Sequence, residues 1–266
     1  MKHKLFIFLL GFFLSPVVYA QGFESWKDLH IYFKKSNFLP ETITIEELNR
    51  LPTLTQLPSD FNELVDVDTK KKLFYLVTLP IIYESNALIL EDRKMIINIE
   101  KKFKRTELNT NEQNEVIRLS KKYKLDYSKI NLTLFKKLKQ RINIIPISLA
   151  LGQAIIESGW GQSRFALEGN ALYGQWTTNE QRGIIPEARD EDKNHAVLKF
   201  DSLQKSVQTY MHNINTQPSS STMRPSGFLL STVPRFVRYS RLSASLFSMS
   251  DKKYDWLVLF LLLLLS

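Results

Sequence analysis

The chain has 266 residues, of which 44% are apolar and 24% charged, and its formal net charge is +9 at pH 7. It contains no cysteine, which excludes disulfides, a thiol nucleophile and thiolate metal sites and leaves stability to an ordinary core. The basic balance favours polyanionic partners, and without zinc-finger spacing, an RNA-binding motif or a basic face interleaved with aromatics, nucleic acid is the weakest of these.

The first residues pair a basic start, Lys2 and Lys4, with an apolar run from Leu5 to Leu14 and the small-residue site Val18-Tyr19-Ala20. This pattern predicts a signal peptide over 1–20, cleaved after Ala20. A membrane anchor is the rival reading, but the run is too short to span a bilayer, so export to the periplasm or cell envelope is expected and no integral membrane span is.

Residues 21–69 read as an irregular segment punctuated by Pro40, Pro52 and Pro58, with Asp60 placed to cap a following helix. Residues 70–142 read as a helical region. From Lys70 to about Lys104 the apolar residues Leu73, Leu76, Ile81, Ile82, Leu88, Ile89, Met95, Ile96, Ile99 and Phe103 recur at threes, fours and sevens, and Pro80 is expected to mark a kink or restart. Further helices are predicted over about Asn111–Tyr123 and Thr133–Arg141. The cluster Lys101, Lys102, Lys104 and Arg105 is read as a solvated face rather than a track for an anionic glycan.

The core, 143–218, opens on a helix after Pro146 that carries QAIIESGWGQS, Gln153–Ser163. Ala150, Ala154 and Glu157 fall on one stripe, which sets the carboxylate on the face the helix buries; apolar surroundings raise a carboxyl pKa and suit it to proton donation. A helix-terminal carboxylate in water is the plain alternative. Gly159, Trp160 and Gly161 stop the helix and let backbone and an indole face come close to a ligand. GNALYGQW, Gly169–Trp176, follows as a loop. Gly183–Phe200 is expected to form a two-stranded hairpin with a polar tip. Ser202–Asn215 is a helix whose apolar stripe, Leu203, Val207, Tyr210, Met211 and Ile214, makes Tyr210 a core residue.

The assembled run PISLALGQAIIESGWGQSRFALEGNALYGQW, Pro146–Trp176, resembles the bacterial cell-wall glucosaminidase family that includes the Bax-type proteins and the flagellar peptidoglycan hydrolase domain. The helical segment Lys71–Lys104 and the run YMHNINTQP resemble the Bax branch in particular. The resemblance implies an α+β, mostly helical, lysozyme-like fold with a small β-hairpin, preceded by an N-terminal helical region. It also implies an exported peptidoglycan hydrolase that cuts the β-1,4 bond after N-acetylglucosamine, with glycan strands as its partner and no cofactor or metal. Glu157 takes the position of the family's general acid, and Glu187, ahead of Phe200 on the hairpin, that of the second carboxylate; Asp190, Glu191 and Asp192 lie close by. Trp160, Tyr173 and Trp176 are expected to line the sugar groove, with core packing the alternative for each. Gln153 and Asn170 are expected to bond the acetamido group or to close the loop.

Beyond Pro218 the resemblance stops in this reading. Residues 219–266 are serine-rich, lack glutamate and end on the apolar run Trp256–Leu265, as if the reading frame had been disrupted; the family tyrosine is not carried onto Tyr239. Two other readings stay open: an inactive glycan-binding or assembly factor, and a lytic transglycosylase on the same fold.

Overall fold

The computed structural model describes residues 22–38, 43–187, 189 and 195–216. The expected signal peptide, the 219–266 tail and the acids Asp190, Glu191 and Asp192 lie outside the described residues.

The N-terminal segment is more regular than its prolines suggest. It forms α1 (Trp26–Ser36) and the single turn α2 (Ile45–Leu48), closed by a Thr44–Glu47 capping box, before a 3₁₀ turn at Phe61–Glu63. Asp60 makes no cap for the turn that follows it. Its carboxylate instead accepts from the Ser25 hydroxyl at 2.7 Å and the Trp26 amide at 2.8 Å, satisfying the start of α1 from a distance in sequence.

Everything else is arranged around α3 (Val67–Phe103), a 37-residue helix whose first turn is capped by the Asp66 carboxylate. The helix does not restart at Pro80. Proline there forfeits one backbone hydrogen bond, but residues 73–82 are buried on every side of the helix, so packing holds the turn in place. By length and composition α3 could cross a bilayer; 72% of its apolar window is nonetheless buried inside the protein, as in the core helix of a globular fold.

α4 (Thr110–Lys122), α5 (Leu132–Arg141) and α6 (Ile147–Ser158) follow, close to the predicted limits, and each packs on α3. Charge fixes two of these contacts. Asp92, buried on α3, accepts from Lys122 at 2.6 Å and from the Tyr123 hydroxyl at 2.9 Å, tying down the end of α4. Glu100 meets Lys139 of α5 at 2.6 Å, and that lysine's hydrogen bond holds the Glu100 carboxyl below the usual range. Within the basic cluster Lys102 pairs with Glu112 and Lys104 with Glu100, so two of its charges serve the fold.

The short α7 (Arg164–Gly169) leads into a small antiparallel sheet of β1 (Trp176–Thr177), β2 (Gly183–Ile184) and β3 (Ala196–Leu198), in the order β1-β3-β2. The expected hairpin is the β2–β3 pair, with Ile184 opposite Val197. The third strand was not expected: Trp176 and Thr177 pair with Val197 and Ala196 on the other edge of β3. Two residues are too few to show an alternating pattern in sequence. α8 (Leu203–Thr216) then returns against α3. The result is a mostly helical α+β fold of lysozyme-like type with a three-stranded sheet.

Candidate active site around Glu157

The helix that carries the acid is anchored at its start. Asn86 of α3 donates from Nδ2 to the Ile145 carbonyl at 2.8 Å and accepts from the Ile145 amide at 2.9 Å, pairing a side chain with a backbone as one strand pairs with another. Two residues later α6 begins. Its stripe runs from complete burial at Ala150 and Ala154 to half-burial at Glu157 in the last turn.

The end of α6 is a left-handed reversal. Gly159, Trp160 and Gly161 have φ of 57°, 60° and 78°, a conformation glycine adopts freely and tryptophan does not. The cost at Trp160 is offset by packing: its ring stands edge-on to Phe74 (6.1 Å) and Tyr75 (5.5 Å), with the Lys71 ammonium over it. Ser158 locks the turn, donating to the Ala154 carbonyl at 2.6 Å and accepting from the Gly161 amide at 2.8 Å. A Cβ at Gly161 would lie 2.7 Å from Leu57 Cδ1 and 3.0 Å from the Phe74 ring. Strain and overpacking together are expected to make Gly161→Ala destabilising by about 2–4 kcal/mol, read from the urea midpoint at unchanged slope.

Glu157 faces the loop 171–175. A Cβ on Gly174 would sit 3.6 Å from Glu157 Oε2, so this loop brings bare backbone to the acid. Ser206 of α8 holds the loop, its hydroxyl accepting from the Leu172 amide at 3.2 Å. Burial raises the Glu157 carboxyl pKa. Among the described residues no hydrogen bond or salt bridge engages its carboxylate.

The other expected site residues divide into two groups. Gln153, one turn before Glu157, accepts from the Tyr210 hydroxyl, and Tyr210 lies flat on Tyr173 with ring centroids 3.8 Å apart and planes 5° apart. Gln153, Tyr173 and Glu157 therefore form one cluster. Tyr210 completes it: it is 6% exposed, as a core residue would be, yet its hydroxyl serves the site, and burial, with the Glu157 charge second, raises its pKa. Gln175, at the end of the same loop, has both amide atoms buried and without a partner among the described residues.

The second group is spread more widely. Trp160 packs on α3 as described. Asn170 is buried at the left-handed end of α7, where its amide donates to the Phe200 carbonyl at 3.0 Å and closes the loop. Trp176 on β1 is 53% exposed and lies against His195, 4.2 Å between centroids. Glu187, just after β2, is 86% exposed at its side chain and meets Arg164 of α7 at 3.3 Å. Among the described residues no group of acids and histidines could hold a metal ion.

Residues 132–256 match the family model described as "Mannosyl-glycoprotein endo-beta-N-acetylglucosaminidase". The chain is also 30% identical over 177 residues to "Protein bax" of Escherichia coli (strain K12), an overlap of 66% of this chain and 59% of that protein. Over residues 132–256 the chain is similar to the glucosaminidase family, and over its longer overlap it is similar to the Bax-type branch. No solved structure matches it.

The extent of the family-model match is informative in two ways. It begins at the start of α5, so α3, on which α6 rests, lies outside it. It also runs past Pro218 to residue 256, into the segment where the motif-based resemblance stops. Tyr210 was missed as a site residue because it does not break its local pattern, and the one available signal was a hydroxyl-bearing ring on a stripe where leucine would pack as well.

Proposed function

We propose that the protein is an exported peptidoglycan hydrolase, an endo-β-N-acetylglucosaminidase in which Glu157 protonates the bridging oxygen of a β-1,4 bond. One observation supports this most: a half-buried carboxyl of raised pKa, free of protein partners among the described residues, stands in the family's ESGWG motif beside bare backbone at Gly174. An oxocarbenium-like transition state needs a proton on the leaving oxygen and a negative charge or activated water across the ring. Glu157 supplies the first, and we assign the second to Glu187, which follows β2. The exposed Trp176 offers a flat face for a pyranose ring. The basic balance of the chain suits an anionic wall polymer, and the start of the chain carries the pattern of an export signal.

A lytic transglycosylase is the second reading, favoured by the Arg164 contact that occupies Glu187 and leaves Glu157 as the unengaged acid. Mass spectrometry of the fragments released from purified sacculi separates the two. Reducing N-acetylglucosamine ends are expected; anhydro-muramyl ends, one water lighter, would replace the first reading by the second. Strand binding without any released ends would mark a glycan-binding or assembly factor.

A further inference from the structure

We propose that Tyr210 is a positioning residue that orients the Gln153 amide to read the N-acetyl group of the sugar beside Glu157, an inference that rests on the glycan-cleaving reading above. Gln153 and Glu157 are four residues apart on α6 and rise from the same face, so a sugar within reach of the acid is within reach of the amide. The Tyr210 hydroxyl donates to Gln153 Oε1. With its acceptor engaged, the amide is left with two N–H donors on Nε2, which no described residue accepts. The hydroxyl has little freedom to do otherwise, because the Tyr210 ring is buried and clamped flat against Tyr173, itself 7% exposed. Burial, with the nearby Glu157 charge, pushes the phenol pKa up, so Tyr210 stays a donor across the working pH range.

The chemical consequence is a sign of recognition. An acetamido carbonyl is an acceptor and matches the Nε2 donors. A de-N-acetylated sugar carries an ammonium at neutral pH and sets donor against donor. Polar sites of this kind reject the mismatched analogue because their own groups go unpaired. Gln153 is half-buried, so the expected preference is about tenfold to a hundredfold rather than the larger ratios of sealed sites.

The test is calorimetric binding of glycan strands, native or chemically de-N-acetylated, to the full chain carrying Glu157→Gln, so that nothing is cleaved. The native strands should bind about tenfold to a hundredfold more tightly. Adding Tyr210→Phe, which keeps the stacked ring, should reduce that preference at least about fivefold while leaving the affinity for de-N-acetylated strands unchanged. Gln153→Leu should do the same, and the two together should be no worse than Gln153→Leu alone, since they act through one amide. Should Tyr210→Phe misfold, Gln153→Leu carries the test by itself. An unchanged preference in either folded variant, or an equal fall in both affinities, overturns the inference. Equal binding of the two strands by the Glu157→Gln chain overturns it alone, whereas no binding of either overturns the parent reading as well.

Discussion

Glu157→Gln should lower glycan cleavage by about 10²–10⁴-fold while strand binding persists, measured as released reducing ends against co-sedimentation with sacculi. The substitution keeps the shape of the side chain beside Gly174 and removes its ability to give up a proton. The same residue sets the pH dependence. Cleavage needs the acid protonated, and burial has moved that requirement upward, so the basic limb of kcat/KM should belong to Glu157 and lie above the range of an ordinary glutamate. Stability responds with a definite sign. A carboxyl whose folded pKa is raised contributes fully below its unfolded value, and the contribution is lost as pH rises through the folded value. Glutamine mimics the protonated form. Urea melts should therefore show the variant equal to the parent in acid and more stable near neutrality; a variant less stable at neutral pH would show that the carboxylate, not the acid, is the favoured form.

Asn86→Leu should cost about 2–5 kcal/mol, because it strands two backbone groups of Ile145 in a buried site, at roughly 1–3 kcal/mol each. Asn86 is 7% exposed, so water cannot replace it. Cleavage should fall with stability, since Ile145 leads directly into the helix that carries Glu157. A loss below about 1 kcal/mol would mean that α6 is held by packing alone.

Much of this was legible in the sequence, for a physical reason. α3, α4, α5, α6 and α8 are long enough for a 3.6-residue period to show, and residues such as Leu73, Ile96 and Leu203 that set the period are buried as expected. Glu157 could be singled out because glycines flank its helix end. What stayed hidden depends on partners distant in sequence. Asp60 looks like a local cap, but its partners are Ser25 and Trp26. β1 exists because Val197 and Ala196 offer it an edge. Pro80 predicts a break when read alone, and burial all round overrides it. Tyr210 reads as core and is core; only the fold shows that its hydroxyl reaches Gln153. Trp160, an expected sugar contact, packs its ring against Phe74 and Tyr75 instead, and that packing is what stabilises the left-handed turn.

The placement of α3 bears on how this domain can be transplanted. A fragment cut at residue 132, where the family match begins, would take the proton donor and leave behind the beam that props up its helix. Asn86, Phe74 and Tyr75 all belong to that beam, and each grips one end of α6. Any excised or chimeric version that is to keep the acid at its post must therefore carry the chain from α3 onward.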